Sequence, residues 1–203
     1  MAEARFRVDL FCEDGAHEDC GRALIGRCAR DSGVVVTTTA RSARAGLPRA
    51  KSELRAFQRT VSQGGGVVPD LLVVLADAND AGPAVRRREL AAVVDSTIFA
   101  RVVIGTPDPY VERWLLADPV SFAERFGVEP DARAADGRQA WKTRLERALT
   151  EADELVIHGG AEFATEIFDV MDFYRAGRQA PELQAFTDEL RGALRLLAQA
   201  REA

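Results

Sequence analysis

Six consecutive apolar residues, Leu71-Leu-Val-Val-Leu-Ala76, constrain this chain more than any other segment. A strand that is apolar at every position has no face to offer water, so both of its sides need cover. A parallel sheet between two layers of helices supplies that cover. Three other segments read as strands. Arg5 to Cys12 alternates and then runs apolar, Val34 to Thr39 is β-branched throughout, and Phe99 to Gly105 is largely apolar.

Helical patterns fill the gaps. His17 to Asp31 turns Leu24, Ile25 and Cys28 inward and stops at Gly33. Pro48 opens a helix over Arg49 to Val61, which the run Gly64-Gly65-Gly66 closes. Pro83 opens another through Val94, and Asp108-Pro109 reads as an N-cap and first helical residue for Tyr110 to Ala117. Residues 127–137 form a polar loop, and everything after it reads as helix, about four in number, with stripes such as Phe163, Ile167, Met171 and Leu183, Phe186, Leu190, Leu194. The order βαβαβαβ predicts an α/β fold with a mainly parallel sheet of about four strands flanked by helices over residues 1–126. Residues 127–203 are expected to form a helical C-terminal extension packed on it.

The chain has 27 basic and 32 acidic residues, a net charge of −5, so no bulk positive field draws it to nucleic acid. No apolar run approaches the roughly 20 residues that span a bilayer, and the N-terminus shows no secretory leader. Three cysteines, Cys12, Cys20 and Cys28, have no Cys-x-x-Cys spacing, which argues against a disulfide framework or structural zinc. A cytoplasmic location is the expectation.

Ligands in parallel sheets gather outside the carboxyl ends of the strands. Glu13 and Asp14 follow the first strand, while Asp77 and Asp80 follow the third. Carboxylate oxygens are hard ligands suited to magnesium or manganese. Glu112, at the start of the helix after the fourth strand, is the natural further ligand. The plainer reading of Asp77-Ala-Asn-Asp80 is a turn in which Asp80 caps the next helix, and Glu112 gains from the helix dipole wherever it points. His17 and His158 have no partner at ligand spacing, so a packing or surface role is expected for each.

Between Arg41 and Arg59 six basic residues (Arg41, Arg44, Arg49, Lys51, Arg55, Arg59) stand against one acid, Glu53, and Arg86-Arg87-Arg88 adds a second run. Lys51, Arg55 and Arg59 share one helix face at i, i+4 and i+8, which suits either a solvated stripe or a phosphate-binding one. Arg49, Lys51, Arg55 and Arg59 are the candidate nucleic-acid contacts.

With these residues in view, the chain resembles Toprim-fold proteins, in particular a bacterial Toprim-like family of about this length related to OLD-type nucleases. The likeness rests on Glu13-Asp14-Gly15 with Glu18, on Leu71 to Asp80, and on Glu112-Arg-Trp-Leu-Leu-Ala-Asp118. It continues into the closing helices from Glu162 to Leu197. The resemblance implies a Toprim glutamate at Glu13, or at Asp14 with a one-residue gap, and metal-binding aspartates at Asp77 and Asp80. The family's Asp-x-Asp reads Asp77-Ala-Asn79 here, which leaves Asp80 one place late. It further implies a magnesium- or manganese-dependent phosphodiesterase, a nuclease on DNA or RNA, with Glu13, Asp77, Asp80 and Glu112 as catalytic and metal residues. By family analogy an ATPase partner protein and a role in phage defence are expected, and a homo-oligomer stays open. The alternative is a non-catalytic Toprim-like subunit that binds a partner protein or nucleic acid. A receiver-like domain phosphorylated on Asp77 would need a lysine after a later strand, and Gly-Thr-Pro-Asp follows Ile104 instead.

Overall fold

The computed structural model describes residues 5–42, 46–133 and 137–202. Strands β1 (Phe6–Cys12), β2 (Val36–Ser42), β3 (Leu71–Leu75) and β4 (Val102–Gly105) form one sheet in the order β2-β1-β3-β4. Every neighbouring pair is parallel, and Cys12 stands opposite both Ser42 and Leu75. This is the α/β architecture that the sequence pattern predicts, a helix-flanked parallel sheet of Rossmann-like kind.

All five residues of β3 are buried, because β1 and β4 flank it and helices cover both its faces. On one face Val8, Leu10, Val73, Leu75 and Val103 pack under α1 (Gly15–Asp31) and α9 (Pro181–Glu202). On the other, Phe11, Leu72, Val74 and Ile104 pack under α2 (Gly46–Ser62) and α3 (Pro83–Ala91). Each large apolar side chain so buried stabilises the fold by about 1.5–3 kcal/mol before entropy is counted.

Further helices α4 (Val111–Leu115), α5 (Pro119–Phe126), α6 (Arg138–Glu151), α7 (Ala164–Val170) and α8 (Phe173–Gln179) complete the chain up to α9. Leu145, Phe168, Leu183 and Phe186 join the same buried cluster as β1 and α1. Arginines tie the layers together. Arg27 Nη1 donates to the Phe168 and Asp169 carbonyls at 2.8 and 2.6 Å. Arg87 grips both Glu189 oxygens at 2.9 and 2.8 Å and the Ile104 carbonyl at 2.7 Å.

Several boundaries differ from the sequence pattern. Strand β2 starts at Val36, because the Val34 N–H closes α1 onto the Ala29 carbonyl. Its end moves to Ser42, where β1 still offers partners. Phe99 is buried in the α2–α3 cluster rather than in the ladder. The Asp108–Pro109 peptide is cis and Tyr110 takes the cap position of α4, so Asp108 is not an N-cap. Asp118 caps α5 by accepting from Ser121 N–H, and Arg175 donates to both its oxygens at 3.0 and 3.1 Å. Asp80 caps nothing; Gly82 holds the N-cap position of α3. Arg44, one of the basic residues read from the sequence, lies outside the described residues. Among the described residues no helix is long and apolar enough to cross a membrane.

Candidate metal centre

The strand order brings β1 and β3 side by side, with β2 on one flank and β4 on the other. The chain order reverses between β1 and β3, and such a switch point opens the crevice where doubly wound sheets bind ligands. Glu13 and Asp14 leave β1 there, and Asp77 leaves β3. Ligand atoms of Glu13, His17 and Asp77 lie within 4.8 Å of one another.

His17 is the centre of this arrangement. It is fully buried on the first turn of α1, whose N-cap is Asp14. Its Nδ1 is 2.7 Å from Asp14 Oδ1 and its Nε2 is 2.9 Å from Asp77 Oδ1. A neutral imidazole has one N–H and could donate to only one of these carboxylates; imidazolium donates to both. Burial alone would lower the ring's pKa, but Asp77 and Asp14 overcome it and raise the value from 6.5 to about 10. The expectation of a mere packing role for His17 is therefore corrected. Ligand spacing in the sequence does not reveal it, because its second partner is 60 residues away. The local signal that does exist is an aspartate N-cap three residues before it.

Asp77 is 1% exposed and its Oδ1 also accepts from Val111 N–H at 2.8 Å. Arg86 Nε donates to the Asp77 carbonyl at 2.9 Å, so one residue of the second basic run braces the loop instead of facing solvent. Arg138, on α6, completes the group. Its Nη2 lies 2.6 Å from Asp14 Oδ2 and its Nε 3.4 Å from Glu112 Oε1. Burial would raise the Asp14 pKa, yet His17 and Arg138 hold it well below its ordinary value. Glu112, only 3% exposed, goes the other way: burial raises it and Arg138 offsets this only in part. In this group two buried carboxylate oxygens, Glu13 Oε2 and Glu112 Oε2, have no hydrogen-bond partner among the described residues.

The structure thus brings Glu13 and Asp77 together and places Glu112 close by under Arg138. Asp80 is exposed on a 3-10 turn, Asn79–Ala81, outside the group that converges. The basic helix α2 starts at this rim: a Cβ on Gly46 would sit 3.8 Å from Glu13 Oε1. Its cations divide. Arg49 pairs with Glu53 at 2.7 Å and Lys51 with Glu89 on α3 at 3.1 Å. Arg55 and Arg59 are exposed and form no ion pair among the described residues. Cys12, Cys20 and Cys28 are free and buried, and burial pushes the Cys12 thiol up to about 12, so none offers a ready thiolate.

No family model, curated protein or solved structure matches this chain. The functional reading therefore rests on the geometry of this rim.

Proposed function

We propose that the chain is a divalent-cation-dependent phosphodiesterase acting on nucleic acid. The observation that carries this is the unpartnered, buried Glu13 Oε2 beside His17 and Asp77 at the switch point. A carboxylate oxygen withdrawn from water without a donor is costly, and a cation offsets that cost. Local charge supports the same reading. Asp14 and Asp77 share His17, and Arg138 lies between Asp14 and Glu112, so Glu13 has no counter-charge among the described residues. The protonated ring of His17, shared by Asp14 and Asp77, has no lone pair to offer a metal, so Glu13 and Asp77 would supply the protein ligands, an oxygen set that suits magnesium or manganese.

A bound cation would supply Lewis-acid polarisation of a phosphoryl oxygen. Glu112, with its raised pKa, is suited to hold a proton for the leaving oxygen. Arg55 and Arg59 on the helix that begins beside Glu13 would take backbone phosphates. An ATPase partner is proposed on the Toprim resemblance alone.

A second reading has its own observation. His17 and Arg138 already neutralise Asp14 and Asp77, as an internal ionic latch in a non-catalytic subunit would. Glu13→Gln separates the two, because Glu13 Oε2 has no hydrogen bond to lose among the described residues, whereas Asp77 braces both His17 and α4. The phosphodiesterase predicts manganese-dependent cleavage of DNA or RNA that falls at least about a hundredfold in Glu13→Gln while the fold stays intact. No Mn2+ binding by electron paramagnetic resonance and no cleavage of any nucleic acid would leave the latch reading standing.

A further inference from the structure

A second polar feature lies on the α2 side of β1 and β2. Strand alternation sends Val8, Leu10 and Cys12 toward α1 and turns Phe11 toward α2. Asp9 shares Phe11's side and is completely buried. Arg7 Nε donates to its Oδ1 at 3.3 Å, and Arg41 Nη2 stands 3.6 Å from its Oδ2, which accepts no hydrogen bond among the described residues. Two guanidinium groups from adjacent strands therefore flank one carboxylate.

The Arg41 guanidinium carbon stands 4.4 Å from the Phe57 ring centre and 5.7 Å from that of Phe11, and its buried Nε has no acceptor among the described residues. The side chains of Arg7 and Arg41 remain 36% and 37% exposed, so donors are left over. They border an open cavity of about 410 Å³, lined also by Phe57, Gly65, Gly66 and Val67. Glu53, the other charged residue in its wall, is engaged by Arg49. Two cations against one buried anion leave one positive charge facing the cavity.

We propose that this cavity binds a phosphate group, carried by a free nucleotide or by a nucleic-acid strand. A guanidinium fork preset by an aromatic ring loses little freedom on gripping an anion. A phosphate presents enough oxygens to accept from both forks at once. The apolar wall of Phe57 and Val67 leaves room for what the phosphate carries. This site goes beyond the cation-dependent reading and needs no cation.

The test is calorimetric titration of the full chain in EDTA with inorganic phosphate, with AMP and with a short oligothymidylate. Arg41→Lys and Arg7→Lys keep a cation beside Asp9 while removing a fork, and each is expected to weaken binding about tenfold. Binding of AMP without the oligonucleotide assigns the pocket to a free nucleotide; the reverse assigns it to a strand. On the wild-type chain the Gly65, Gly66 and Val67 amide resonances are expected to shift with the bound probe. Absence of binding by all three probes, lysine variants that bind like wild type, or shifts confined to other residues would overturn the proposal. EDTA keeps this outcome separate from the nuclease test.

Discussion

Replacing His17 with glutamine probes the site most directly. Glutamine can offer an amide N–H but carries no charge, so Asp77, 1% exposed, would lose its cationic partner and keep only neutral donors such as the Val111 N–H at Oδ1. Removing one partner of a buried ion pair typically costs about 3–5 kcal/mol. Titration leads to a similar figure. A pKa raised from 6.5 to about 10 corresponds to about 4–5 kcal/mol of preferential stabilisation of imidazolium, at about 1.4 kcal/mol per pH unit. The sign follows from the direction of the shift. The folded state holds a proton that the unfolded chain has released, so this stabilisation is complete below pH 6.5 and drains away as pH rises toward about 10. Urea denaturation of both proteins in EDTA across that window should show a wide stability gap at the acid end. The gap should close by up to about 1.4 kcal/mol per pH unit. A gap independent of pH, or a variant as stable as wild type below pH 6.5, would refute an imidazolium bridge between Asp14 and Asp77.

Two more predictions concern stability. Arg138→Met removes the contacts to Asp14 and Glu112 and should cost about 1–2 kcal/mol at neutral pH by urea denaturation. Because the Asp14 pKa is held low in the fold, that difference should be full above pH 3.8 and narrow as pH falls further; a constant difference would remove Asp14 from the account. Gly105→Ala places a Cβ 2.5 Å from Leu75 Cδ1 and 2.9 Å from Phe186 Cδ2, and should destabilise by about 1–3 kcal/mol. A thermal melt indistinguishable from wild type would show that α9 can retreat from β4 at no cost.

The strand-end carboxylates illustrate what is legible in the sequence. Glu13 and Asp77 stand directly after apolar runs, and in a parallel sheet all such ends face one rim. Asp80, three residues further, fits the same pattern, but the 3-10 turn Asn79–Ala81 carries it into solvent. The basic stripe of α2 is legible as a spacing and misleading as a surface. Lys51 reaches Glu89 on α3, and no period within α2 announces a neighbour 38 residues away. Helix α5 is hard to see in the sequence because its cap, Asp118-Pro119, equally resembles a stop, and Arg175 engages that aspartate from 57 residues later.

Local chemistry settled the elements of this protein: an all-apolar run demands two covered faces, β-branched residues favour strands, and glycine or proline ends helices. Those preferences act within a few residues, so one chain suffices to show them. The order β2-β1-β3-β4, the bridge from Asp14 through His17 to Asp77, and the reach of Arg138 from α6 belong to the tertiary structure. Charges far apart in the chain are forced together only when packing expels water between them, and no short window of residues contains that information.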